Sequence, residues 1–490
     1  MALHPAAQVP APSGGALPRH ELTAHQADLY IADQAADHSA AYHAAVIYRV
    51  TGSLDGRALR RRFVQLLADH PMLASRVVEG DNGWYFEPAD IAPELHVVTV
   101  PVAPDGDRAR RRVRNECLRP LDPMRGPLIR AVLLRYSDEV ADLIVAAHHL
   151  VVDEQSFSVL IRRLVAGEEH TPRETYAEWA ERTRTVLPAR LDRASAIRAE
   201  LGRSDLAPSL DWADDTSEAA GSGGGTAELR VPAGVWSEVR RHCAELQVTP
   251  YAFALAAAGL VLGRNARVPR PVLGATVSRR LPRHAATIGY FNSTVLIPVD
   301  LDGASTVAEH LRRVHDRSMQ AYRDADLPLS TVLPESAAGA PRLVVVPSSP
   351  APEVTTSSAR CTPRDDIDLG AAQFPLALYL RQCPDGSHHG VLRFQREVVT
   401  ESAAERFCRQ LEWVIACFAD DPTVSLSDVN TVPAADMRRL SAADAPALPV
   451  SRGSGGIPGR FGVWVGLQPD AVAVDGLSYR EVGARSDRLA

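Results

Sequence analysis

The residues with the clearest chemical potential are His148 and His149, in the run His148-His149-Leu150-Val151-Val152-Asp153. A neutral imidazole, with an unperturbed pKa of about 6.5, can take a proton or orient an attacking amine or hydroxyl near pH 7. Asp153 can hold the intervening loop by pairing with an arginine or by capping the next helix. A plainer explanation has comparable weight, because a chain with 16 histidines contains an adjacent pair somewhere by chance. His388-His389 is such a pair. It follows Pro384-Asp385-Gly386 without a matching acid, and reads as a solvated turn. Spacing alone leaves His149 open between catalysis and coincidence, and Asp153 open between an ion pair and an ordinary helix cap.

Other candidates are weaker. Arginines in the run Arg108–Arg114 are interleaved with Ala and Val at helical spacing, as on a solvated helix face. Gly453–Gly459 is glycine-rich, but it has no lysine and no preceding strand, unlike a phosphate-binding loop. No GxSxG, HExxH or GxGxxG occurs. All 53 basic residues are arginine, which removes Schiff-base and P-loop lysine chemistry.

The elements that position the histidine pair follow from apolar periodicity. The apolar runs Leu128–Leu134 and Val140–Ala147 flank Ser137-Asp138-Glu139 and predict a hairpin whose second strand ends at His148. Beyond the pair, Phe157, Leu160, Ile161 and Leu164 fall at i, i+3, i+4 and i+7, the stripe of an amphipathic helix. The histidines therefore stand on a strand-to-helix junction, rigidly framed and able to reach a cleft. Upstream, Thr23 and Gln26 make a capping box, Ala44–Val50 is strand-like, and a helix carries Leu59, Phe63, Leu66 and Leu67.

A serine-, aspartate- and glycine-rich stretch from about Arg203 to Thr226, with Gly221-Ser222-Gly223-Gly224-Gly225 as a flexible connector, separates this region from a second α/β region. There, Leu229–Val231, Pro271–Ser278, Thr294–Val299, Leu376–Leu380 and Val391–Phe394 are strand-like. Helices are predicted over Val235 to Leu246, after Thr249-Pro250, after the capping box Thr306/Glu309, and over Ala403–Phe418. The last thirty residues show a short strand-turn-helix pattern, too small to bury a core alone.

With 490 residues, 46% of them hydrophobic and 23% charged, the chain has material for roughly three compact domains and is not a disordered polymer. A net charge of −7 without single-sign blocks argues against a nucleic-acid surface. Cysteines 117, 243, 361, 383, 408 and 417 are scattered without a CxxC, so neither a metal site nor a disulfide framework is expected. The first twenty residues lack a signal peptide, and the apolar run Tyr251–Leu262 is too short for a membrane span. A soluble, cytoplasmic protein is the expectation.

Taken together, these segments resemble the condensation domain of non-ribosomal peptide synthetases, within the chloramphenicol-acetyltransferase-like fold. The family's HHxxxDG motif stands as His148 to Glu154. Leu22-Thr23-Ala24-His25-Gln26 is similar to L(S/T)xxQ, and Asp69-His70-Pro71-Met72-Leu73-Ala74-Ser75-Arg76 to RHexLRtrF. Tyr176-Ala177-Glu178-Trp179 is similar to YxxW, Ile288 to Thr294 to IGxFxNT, and Asp326-Leu327-Pro328 to D(L/V)P. Pro469 to Val474 and Leu477 to Val482 resemble the first conserved segment of an adenylation domain. Heterocyclization relatives carry Asp where His148 stands, which disfavours that branch.

The resemblance implies an α/β (α+β) fold of two lobes in a V-shaped pseudo-dimer, with the active site in a tunnel between them. Its expected divisions are a flexible tail 1–19, a first lobe 20–180, a connector 181–226, a second lobe 227–440, and a linker with a truncated adenylation segment 441–490. It implies amide formation between a donor acyl or peptidyl thioester and an acceptor aminoacyl thioester, both on phosphopantetheine arms. No cofactor is expected on the chain itself. The partners are donor and acceptor carrier proteins and an adjacent adenylation domain, without nucleic acid or membrane. If Met1 is the native start, the donor carrier comes from another polypeptide.

By the same resemblance His149 orients or deprotonates the amine, with His148 beside it supporting the loop. Asp153 pairs with Arg280, and Glu154, Ser156, Asn292 and Ser293 border the substrate tunnel. Two departures stand out: Glu154 replaces the motif's Gly, and Phe291-Asn292-Ser293-Thr294 is one step out of register with FxNT. The alternatives are a stand-alone acyl-coenzyme A acyltransferase of the same fold, or a catalytically degenerate carrier-docking domain.

Overall fold

The computed structural model describes residues 19–36, 40–81, 83–169, 172–210, 212, 223–334, 341–364, 370, 372–434, 436–438 and 456–488. Most of the expected tail, part of the glycine-rich connector and all of residues 441–455 lie outside these residues. The chain divides into a unit Met1–Thr431 and a unit Val432–Ala490.

The large unit begins with β1 (His20–Glu21), α1 (Ala24–Ala35), β2 (His43–Gly52), α2 (Gly56–Asp69), β3 (Ser75–Gly80), β4 (Gly83–Pro88) and β5 (Leu95–Thr99). It continues through α3 (Asp107–Leu118), β6 (Ile129–Arg135), β7 (Val140–His148), α4 (Glu154–Ala166), α5 (Tyr176–Val186) and α6 (Leu191–Leu201). The second half adds β8 (Gly224–Val231), α7 (Ala233–Leu246), α8 (Pro250–Ala266), β9 (Val272–Ser278), β10 (Asn292–Pro298), α9 (Val307–Arg323) and α10 (Leu329–Val332). Then come β11 (Leu343–Pro347), β12 (Val354–Thr355), β13 (Ala359–Pro363), β14 (Leu376–Gln382), β15 (His388–Gln395) and α11 (Glu401–Asp420).

Two mixed six-stranded sheets, β12-β13-β2-β7-β6-β5 and β10-β9-β11-β14-β15-β8, form the two lobes. In β7, Leu143, Val145 and Ala147 enter one core cluster and Ile144 enters another, the period-two alternation of a strand covered on both faces. On α4, Phe157, Leu160, Ile161 and Leu164 are all buried, each worth about 1.5–3 kcal/mol of apolar transfer. The apolar run after Thr249-Pro250 is a core helix of the second lobe, α8, capped by Thr249. Among the described residues no single helix is long and apolar enough to cross a membrane.

The structure revises several expectations. Strands β12 and β13 lie in the stretch assigned to the second lobe, yet β13 pairs with β2 from Ala359↔Gly52 to Pro363↔Tyr48. The proposed lobe boundary at residue 180 falls inside α5, and the connector stays helical through α6. Gly224 and Gly225 belong to β8, and a Cβ on Gly225 would stand 2.3 Å from the Phe394 ring. His388-His389 opens β15 rather than lying in a solvated turn, and the His388 ring stacks on Trp236 at 3.7 Å.

The small unit holds α12 (Gly456–Leu467), β16 (Val472–Val474), β17 (Leu477–Ser478) and α13 (Tyr479–Ser486). Tyr479 packs on Phe461 and Trp464. Helix α12 lies in the division 441–490, expected from sequence to hold a linker and a truncated adenylation segment.

Candidate active site

Strand β7 ends where its pairing with β2 ends, at the couple His43↔His148. The next three residues, His149–Val151, make one turn of 3₁₀ helix, and α4 starts immediately after Asp153. The tight turn reverses the exposure of the two histidines. His148 has no exposed surface, whereas His149 is half-buried. A sealed ring cannot touch a substrate, so His148 has no direct part in the chemistry and acts on the turn instead. Its Nδ1 accepts from the Leu150 N–H at 3.2 Å, so the proton of the neutral ring sits on Nε2.

The His149 ring has the opposite tautomer. Its Nδ1 lies 3.4 Å from the Val152 carbonyl oxygen, which can only accept, so Nδ1 carries the proton and Nε2 the free lone pair. Desolvation, then the neighbouring His148, push its pKa down to about 4, and Arg393 of the second lobe adds to the shift. The Val152 carbonyl and Asp153 oppose it. His149 is accordingly a neutral acceptor at physiological pH. Its ring resonances in an NMR titration should show no protonation step between pH 5.5 and 8; a midpoint near 6.5 would contradict this environment.

Asp153 and Arg280 meet as the resemblance implied. Arg280 donates from Nε to Asp153 Oδ2 at 2.8 Å and from Nη2 to Oδ1 at 2.7 Å, a two-pronged pair joining the lobes. Both side chains are at most 5% exposed. Asp153 Oδ1 also caps α4 by accepting from Ser156 N at 2.8 Å, and Oδ2 accepts from Phe291 N at 3.3 Å. Arg280 Nη1 is spent on the carbonyls of His284 and Thr287, and its guanidinium lies 4.2 Å from the Phe291 ring centre. Both alternatives that spacing left open, ion pair and helix cap, are realised in one carboxylate.

Ser156 and Ser293 are corrected. Ser156 is fully buried: Oγ lies 2.8 Å from Asp153 Oδ1 and 2.9 Å from Gly289 O, and accepts from Gly289 N at 3.1 Å and Arg280 Nη2 at 2.8 Å. It is a joint between lobes rather than a lining group. Ser293 is 1% exposed on β10, and so is closed to substrate. Asn292, half-buried, offers its carbonyl to Arg279 Nη2 at 3.4 Å.

Glu154, where the motif has Gly, keeps solvent exposure and accepts from Ser349 N at 2.8 Å through Oε1. Its carboxyl pKa is raised, first by desolvation and then by Asp153, while the Ser349 N–H opposes. It thus ties the start of α4 to the segment leading into β12.

The remaining motif segments converge on this junction. Tyr176 donates to the Tyr290 carbonyl at 2.9 Å, and Trp179 lies against Phe291 at 4.5 Å between ring centres. Gly289 is needed there, since a Cβ would stand 2.0 Å from Tyr176. At the far end of α4, Arg163 pairs with Asp69 and reaches His70 Nε2 at 2.9 Å. Gln26 donates to the Leu150 carbonyl at 2.7 Å. Sequence patterning did not single out Asp33, His43 or Arg393, which stand around the pair, because each belongs to a distant element. Among the described residues no cluster of three or more His, Cys, Asp or Glu could hold a metal.

Two mixed sheets, with a histidine turn clamped between their lobes by a buried ion pair, define a two-lobed α/β protein of the chloramphenicol-acetyltransferase-like class. The family model for the condensation domain matches residues 19–441. The chain belongs to the condensation-domain family of non-ribosomal peptide synthetases, whose general function is peptide-bond formation between carrier-bound substrates. It is 26% identical over 485 residues to the chondramide synthase of Chondromyces crocatus, covering 92% of this chain and 12% of that one. It is 25% identical to a phosphinothricin tripeptide synthetase of Streptomyces viridochromogenes, covering 96% of this chain and 46% of that one. The chain thus spans less than half the length of these synthetases.

In fold, it is similar to a four-domain nonribosomal peptide synthetase bound to AMP and glycine, with a TM-score of 0.78 at 16% identity over 96% of this chain and 38% of that one. It is also similar to the X-domain from teicoplanin biosynthesis, with a TM-score of 0.73 at 22% identity over 86% of this chain and all of that one.

Proposed function

We propose that this chain joins a donor acyl or peptidyl thioester to the α-amine of an acceptor aminoacyl thioester, each carried on the phosphopantetheine arm of a carrier protein. The observation that carries this is the half-buried His149 ring, with its Nε2 lone pair free and its turn fixed by the Asp153–Arg280 pair. The amine nitrogen attacks the donor carbonyl, the C–N bond forms, the C–S bond breaks, and the amine proton ends on the departing thiol. Holding two tethered reactants together supplies ~7–11 kcal/mol of barrier reduction, more than a positioned base contributes.

The electrostatics favour one role for His149. An α-ammonium titrates near 7.7–8.0, whereas His149 titrates at about 4, so taking a proton from the ground-state ammonium is uphill by about 5 kcal/mol. His149 therefore aligns the neutral amine as a hydrogen-bond acceptor. It takes the proton only as C–N bond formation makes that nitrogen acidic. No resident cofactor takes part; the pantetheine arms belong to the carriers. Residues 456–488 are proposed as the start of an adjoining adenylation domain.

Glu154 favours a second reading, a domain that docks carriers without turnover, because a carboxylate side chain stands where the family motif has a glycine. Mass spectrometry of the acceptor carrier, after both loaded carriers are mixed with the protein, separates the two. We expect the acceptor to gain the donor acyl mass, with Glu154→Gly changing the rate by less than tenfold. Product from Glu154→Gly but none from the native chain would establish the docking reading.

A further inference from the structure

Helix α1 lies across the back of the histidine turn. Gln26, Tyr30 and Asp33 are buried on it, and Gln26 and Asp33 share one face two turns apart, about 10 Å along the axis. The Leu150 backbone is held from both of these positions, through the two peptide groups that flank its Cα. Its carbonyl accepts from Gln26 Nε2 at 2.7 Å. Its N–H donates to His148 Nδ1, and the opposite nitrogen of that ring, Nε2, lies 3.6 Å from Asp33 Oδ1. Asp33 and His148 are both at 0% exposure, where the carboxylate strongly favours the tautomer with its proton on Nε2. That tautomer leaves the Nδ1 lone pair for Leu150.

We propose that Gln26 and Asp33 are positioning residues for His149: they fix the two peptide groups that flank Leu150 and thereby aim the His149 ring. The proposal rests on the reading of His149 given above. The same helix is pinned to the second lobe. His25 Nε2 lies 3.2 Å from the Ala325 carbonyl, Arg279 donates to His25 Nδ1 at 3.0 Å, and Asp28 accepts from Ser330 N at 3.0 Å. The aim of His149 is thus referenced to both lobes at once.

Gln26 has a second task that a test must separate. Its Oε1 accepts from Thr23 N in the capping box of α1. Gln26→Met removes both contacts, whereas Thr23→Ala weakens the cap and leaves the Nε2 donor in place. Single-turnover amide formation is measured in the full 490-residue chain at saturating loaded carriers, with Asp33→Leu, Asp33→Asn and His149→Ala alongside. A misplacement of about 1 Å costs on the order of 10²-fold. Gln26→Met and Asp33→Leu are each expected to lower the rate 10- to 100-fold without moving the carrier concentration at half-saturation. Thr23→Ala stays within threefold of the native rate, and Asp33→Asn, which still offers an acceptor to His148, recovers most of the loss. The ring ¹⁵N shifts of His148 and His149 change in Gln26→Met and Asp33→Leu but not in Thr23→Ala.

Equal rates and unchanged ring shifts in Gln26→Met and Thr23→Ala would overturn the proposal. A native rate in His149→Ala would instead overturn the catalytic reading, and the ring shifts would still decide the positioning. Should Gln26→Met fail to fold, the Asp33 pair carries the same test.

Discussion

Replacing His149 by alanine is expected to slow amide formation between two loaded carriers by about 10²–10⁴-fold, the range of a positioned base. The protein should fold as before, because the ring's hydrogen bond to Val152 spans 3.4 Å and links no element beyond its own turn. The residual rate, still above that in solution, reports what tethering alone supplies. Single-turnover kinetics with both carriers preloaded isolates the effect from loading. Unchanged turnover would remove His149 from the chemistry.

Asp153→Ala should act on stability first. The substitution leaves the Arg280 guanidinium buried against two carbonyls and a hydroxyl, with no opposing charge. Breaking one partner of a buried pair typically costs 3–5 kcal/mol, and the lost helix cap adds to it. A loss of soluble yield and a lower denaturation midpoint are expected. Adding Arg280→Met should recover part of the loss, because an apolar group replaces the stranded charge. A normally stable but inactive Asp153→Ala protein would place Asp153 in the chemistry instead.

Much of this frame was legible in the sequence because it is written locally. The hairpin around Ser137-Asp138-Glu139, the α4 stripe and the caps at Thr23, Thr249 and Thr306 each depend on residues within one or two turns of each other, and each is present. The Asp153–Arg280 pair spans 127 positions and came only through the family motif. His388 shows the limit of local reading. Pro384-Asp385-Gly386 did mark a turn, but the strand resumes at His388 because β8 and Trp236 cover it. The misplacement of Ser156 has the same origin. A serine near an active-site motif is a plausible wall residue until Gly289 and Arg280, more than 120 positions away, are seen to consume its oxygen.

The pairing of β13 with β2 carries a consequence for how the molecule is made and divided. The first sheet lacks its last partner until Pro363 has been synthesised, more than 300 residues after β2. Until then the β2 margin is an open template of unsatisfied backbone groups, the kind of edge at which nascent chains stick to one another. The halves are also poor units for exchange between synthetases. A graft cut at the glycine-rich connector takes the first sheet without its closing strands and leaves those strands to the acceptor protein.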